Sequence, residues 1–168
     1  MKKIVLALAV IGILTLVVWK GYQNDHNDIA EEYRYKVTDI NAIGRIELLD
    51  HLGQEVVLAR QKDYWILNDS SRVRSNAIDN LLDAISRIEL QVIPGTQAIN
   101  NLVKDLTTHG VRTRIFDRKG NLMKAYVIGG STPDDRGNYI IMEGFDRPAV
   151  IHIPGWEGVL QTRFSFSM

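Results

Sequence analysis

Three patterns of apolar and polar residues divide the chain. From Ile4 to Trp19 the residues are all apolar or near-neutral; from Ile43 onward short runs alternate between turn-forming residues; and between Ala77 and Ile88 the apolar spacing lengthens to three and four. The short runs predict strands. Ile46-Glu-Leu-Leu49, the turn Asp50-His-Leu-Gly53 and Glu55-Val-Val-Leu-Ala-Arg60 form a hairpin pattern, with Gly53 able to take the positive φ such turns need. Tyr64-Trp-Ile-Leu67 predicts a third strand, and Asn68-Asp-Ser-Ser71 breaks the sheet pattern.

Ala77, Ile78, Leu81, Leu82, Ile85 and Ile88 fall on one face of a helix that starts at Ser75 or Asn76, either of which can cap it. That helix is expected to lie across the sheet. A strand at Leu90-Gln-Val-Ile93 ends at Pro94-Gly95, and Gln97 to Leu106 again carries helical spacing, closed by His109-Gly110. Val111 to Phe116, the turn Asp117-Arg-Lys-Gly120 and Leu122 to Ile128 make a second hairpin, followed by strands from Tyr139 and Ala149. Asp50-x-x-Gly53 and Asp117-x-x-Gly120 occupy the same place in two similar hairpins, a hint of duplication. The fold class expected is α+β: a mostly antiparallel sheet of hairpins, with two helices packed on one face.

The N-terminal run changes the picture of where this domain sits. Its sixteen residues, flanked by Lys2, Lys3 and Lys20, cover roughly 24 Å as a helix, and lysine snorkelling extends that toward a ~30 Å hydrocarbon core. A cleavable signal ends in small residues, whereas Val17-Val-Trp-Lys-Gly-Tyr22 is bulky and interfacial, which favours a retained signal anchor over a secreted form. The expected organisation is a transmembrane anchor at 1–20, a polar stalk at 21–41 and an extracytoplasmic domain at 42–168. Lysines before the run and Asp25, Asp28, Glu31 and Glu32 after it place the N-terminus in the cytoplasm and the domain outside the inner membrane.

Composition narrows the function classes. With the three flanking lysines set aside, 17 basic residues face 20 acidic ones, a balance unsuited to neutralising nucleic-acid phosphates. The chain has no cysteine, which excludes disulfides, thiolate metal sites and a cysteine nucleophile. No cofactor is expected.

Candidate chemistry gathers between Tyr126 and Phe164. Gly129-Gly-Ser-Thr-Pro-Asp-Asp-Arg-Gly137 offers backbone N–H groups with Ser131, Thr132, Asp134, Asp135 and Arg136, yet lacks the Lys-Ser/Thr ending of a nucleotide loop. Arg136 and Arg147 could clamp an anion or pair with neighbouring carboxylates. Trp156, between Gly155 and Gly158, either covers the core edge or projects as a partner anchor. A hydrolase or ligand-binding reading centres on Asp135, Glu143 and His152 and requires them to share a cleft. No serine stands in a nucleophile elbow, and the four histidines show no zinc spacing.

Ile46-Glu-Leu, Val57-Leu-x-Arg60, Tyr64-Trp65, Val73-Arg-x-x-Ala77-Ile, His109-Gly110, Ile115-Phe-Asp117, Tyr126-x-Ile-Gly-Gly130, Met142-Glu-Gly144 and His152-Ile-Pro-Gly-Trp-x-Gly158 with Thr162-Arg163 run in an order that resembles the Bacteroidetes-type branch of domain-of-unknown-function family 4340. The resemblance spans about residues 43 to 164. It implies an N-terminal anchor and, through some relatives, association with auxiliary components of ABC-type transport or gliding systems; it carries over no catalytic residue. Relatives usually continue past the Thr-Arg-aromatic segment, so the expectation is either a short member of the family or a domain whose usual C-terminal part is missing here. The function expected is an accessory, protein-contacting module of an envelope complex, with a periplasmic hydrolase or ligand binder as the alternative.

Overall fold

The computed structural model describes residues 32–165. The chain forms two compact units, Met1–Arg34 and Tyr35–Met168. Nearly all of the first, including the Ile4 to Trp19 run, lies outside the described residues, and no described helix is long and apolar enough to cross a membrane.

Among the described residues the second unit is built on one nine-stranded sheet with every pairing antiparallel. Its strands are β1 (Ile43–Leu49), β2 (Glu55–Arg60), β3 (Trp65–Leu67), β4 (Ser71–Arg72), β5 (Glu89–Val92), β6 (Val111–Asp117), β7 (Leu122–Ser131), β8 (Asn138–Met142) and β9 (Ala149–His152), ordered β4-β3-β2-β1-β6-β7-β8-β9-β5. Two meanders, β1 to β4 and β6 to β9, thus run outward from a central β1–β6 pair, and β5 is added beyond β9. Helix α1 (Ser75–Arg87) connects β4 at one edge to β5 at the other, so it crosses the sheet as its apolar face requires; helix α2 (Ile99–His109), entered through a 3₁₀ turn at Thr96–Ala98, returns the chain to the centre. A second 3₁₀ turn covers Leu160–Phe164.

The hinted duplication has a physical counterpart. In the β1–β2 turn the Asp50 carboxylate accepts from the N–H groups of Leu52 and Gln54, at 2.8 and 2.9 Å. In the β6–β7 turn Asp117 accepts from those of Lys119 and Asn121, at 2.7 and 2.8 Å. Gly53 and Gly120 follow with φ of 79° and 86°. The offset that carries Asp50 onto Asp117 also carries Glu47 onto Arg114, which are directly opposite each other in the central pair. The two meanders are therefore related by an approximate twofold axis through that pair.

The helices pack on opposite faces, not on one. Tyr126 on one face of β7 meets Tyr35 and Phe164 edge-on, with ring centroids 6.3 Å apart in both contacts, and Phe164 belongs to the turn packed against α1. Gly129 opens toward the other face, that of Val127; a Cβ there would lie 2.7 Å from Cδ2 of Leu106 in α2, and one on Gly110 would collide with Val127. Burial agrees. β1 and β6 largely alternate buried positions with more accessible ones, whereas Ile140-Ile-Met142 and Ala149-Val-Ile151 are buried at every position, as strands covered on both sides must be.

Three further expectations change. The stalk expected up to residue 41 ends earlier, because Tyr35 and Val37 are buried and the Val37 N–H bonds to the Ile85 carbonyl. Asn68 and Asp69 do not end the sheet: both adopt positive φ, a tight reversal that adds β4. Neither Ser75 nor Asn76 caps α1; Arg74 takes that position without a side-chain cap bond. Ile78, Leu81, Leu82 and Ile85 are buried as the spacing predicts, each worth about 1.5–3 kcal/mol of apolar burial.

Candidate functional site

The residues between Ser131 and Gly137 close a turn on themselves. Ser131 donates to Asp135 Oδ1 at 2.8 Å, and Thr132 Oγ1 donates to Asp134 Oδ1 at 2.6 Å while accepting the Gly137 N–H at 3.1 Å. The Thr132 N–H bonds the Gly137 carbonyl, and Asp135 takes φ of 54° to complete the reversal. The Thr132 hydroxyl, followed by the Arg136 N–H, holds the Asp134 carboxyl below the usual carboxylate range. These hydroxyls and carboxylates are engaged in shaping the β7–β8 connection.

Asp135, Glu143 and His152 do not meet in a cleft. Asp135 precedes β8 and Glu143 follows it, so the two stand at opposite ends of a five-residue strand. His152 lies on β9 near the Asp135 end, opposite Glu89 of β5, and alternates with buried Ile151 and Ile153. Glu143 forms a two-pronged pair with Arg114, at 2.6 and 3.1 Å, which lowers its carboxyl pKa and raises that of the guanidinium. Arg147, exposed in the β8–β9 loop, sits at the Glu143 end, away from Arg136. Among the described residues no three His, Asp or Glu side chains are grouped to hold a metal ion.

Trp156 is a clasp rather than a free anchor. The Arg163 guanidinium lies 4.4 Å over its ring, Gly158 (φ 144°) leaves room for the indole, and Arg163 donates to Asp83 Oδ2 of α1 at 2.9 Å. Arg87 adds a bond of 2.8 Å to the Pro154 carbonyl. Nearby, buried Asn138 donates to the Gly129 carbonyl and accepts the Leu160 N–H. Together these contacts fasten the segment after β9 onto α1 and the sheet.

An opening of about 710 Å³ lies beside this clasp. One wall is the β3–β4 hairpin from Leu67 to Val73; the other is the start of α1, at Asn76, Ala77 and Asn80, with Thr162 and Arg163. Arg72, Arg74 and Arg163 line it, and no carboxylate does among the described residues. Arg72 is braced over the Tyr64 ring at 4.9 Å. No sequence motif marks this groove, because its residues come from three separated segments.

The chain matches no protein-family model, no curated protein and no solved structure in the comparisons made.

Proposed function

We propose that the chain is a membrane-tethered extracytoplasmic module that acts by contacting another protein of an envelope complex. The observation that carries this reading is the fate of the candidate reactive groups. Ser131, Thr132, Asp134, Glu143 and Arg163 are engaged in bonds that hold turns, strands and the C-terminal segment in place, while an open groove lies at the β4 edge, with Arg163 on its wall. A surface that binds without transforming its ligand needs a rigid frame and an opening, and this domain has both. The tether rests on the Ile4 to Trp19 run and its lysine flanks, read as an inner-membrane anchor with the N-terminus inside.

In-membrane crosslinking of the full-length chain followed by mass spectrometry tests the reading. Capture of one reproducible partner supports it; recovery of the chain only as a free monomer sinks it.

A further inference from the structure

We propose that the groove beside β4 receives an extended acidic segment of the partner protein, which adds to the sheet edge as a further strand. The inference rests on the module reading above and names the kind of partner segment involved.

The first argument is the internal twofold. β4 ends the first meander as β9 ends the second, and the outer edge of β9 is occupied by β5, an extended strand carrying Glu89 and paired antiparallel. The corresponding outer edge of β4 carries no strand among the described residues, and β4 instead forms a wall of the groove. The second half of the molecule thus shows in place the type of element that the first half lacks.

Backbone geometry gives the second argument. The Val73 N–H bonds the Trp65 carbonyl, and the register places Arg72 opposite Ile66. In an antiparallel ladder the neighbouring residue then turns its own N–H and C=O outward. Arg72 therefore presents a donor and an acceptor along the open edge, as strand addition requires.

Charge selects the partner. Arg72 and Arg74 both line the groove, and Arg163, though paired with Asp83, keeps a third guanidinium at its far wall. With no lining carboxylate among the described residues to oppose it, an incoming segment bearing Glu or Asp on alternate positions meets complementary charge while its other side chains face the Leu67 and Ala77 surfaces.

The test uses the full-length chain in mild detergent and a fluorescent eight-residue peptide alternating Glu and Val. Anisotropy should report binding, the Lys-Val counterpart should not bind, and the double variant Arg72→Glu, Arg74→Glu should lose about tenfold or more in affinity. A peptide N-methylated at alternate residues should also bind at least about tenfold more weakly, because it cannot pair with the edge. Equal binding by the double variant, undiminished binding of the N-methylated peptide, displacement by inorganic phosphate alone, or no binding at all would overturn the proposal. Slowed amide exchange at Arg72 on peptide addition checks the wild-type chain independently of any variant. If crosslinking captures a partner while the peptide fails to bind, the strand proposal falls and the module reading stands.

Discussion

Arg163 bridges Trp156 and Asp83, stacking on the indole at 4.4 Å and donating to the carboxylate at 2.9 Å. One side chain thus joins the turn after β9, the C-terminal 3₁₀ segment and α1. Arg163→Ala is expected to cost about 1–2 kcal/mol, from the lost stack and a part-buried pair. Arg163→Lys should recover less than half of it, because an ammonium cannot stack and fork together. Urea titrations of both variants decide; an Arg163→Ala variant as stable as the parent removes the clasp.

Tyr126 is fully buried, and its hydroxyl has no hydrogen-bond partner among the described residues. Burial raises its pKa, so the phenol stays neutral across the ordinary range. Tyr126→Phe keeps the edge-on contacts with Tyr35 and Phe164 and removes a desolvated group, so a gain of about 1 kcal/mol is expected. Tyr126→Ala should cost about 3–5 kcal/mol. Thermal unfolding compares the two, and a destabilised Phe variant contradicts the account.

The Arg114–Glu143 pair makes stability depend on acid. Its folded-state Glu143 pKa is lowered, so the stabilisation is present above the unfolded value, about 4.3, and is lost as pH falls through the lowered one. Both side chains are partly exposed, so the amplitude is small and screened by salt. Glu143→Gln should flatten the stability profile between about pH 4.5 and the acid limb. An unchanged slope in denaturation midpoints across that window excludes the pair as its source.

Gly110 sits where α2 meets the back of the sheet, and a methyl group there collides with the Leu106 carbonyl and the Val127 side chain. Gly110→Ala should destabilise by about 1–3 kcal/mol. Leu106→Ala, at the same contact, should cost about 2–5 kcal/mol. Amide exchange should localise the loosening to α2 and β7; a loss centred on α1 would falsify the opposite-face packing.

Legibility varied with how local each feature is. The α1 stripe from Ile78 to Ile85 and the two Asp-x-x-Gly turns were readable because short spacings within one segment determine them. The turn at Asn68 was missed since two consecutive non-glycine residues at positive φ are uncommon, although Asn and Asp are the types that tolerate it. Helix faces are not legible from the helices alone, because a crossover's own periodicity does not say which side of the sheet it takes. The unbroken apolar runs at Ile140 and Ala149 held that answer, as strands buried on both faces. In the 131–137 loop, sequence showed which polar groups were present but could not show that they bond to each other.

The position of β5 beyond β9 also sets an order of events. β5 follows α1 in the chain, yet its one strand partner among the described residues, β9, is made after β6, β7 and β8 have been laid down. Each meander can zip from local hairpins, but β5 must wait with its ladder groups open until the long loop closes, which raises the contact order of the whole domain and slows its completion. In pulse-labelled refolding, the amides of Glu89 to Val92 should be among the last to gain protection, leaving a transient sticky edge on the nascent sheet.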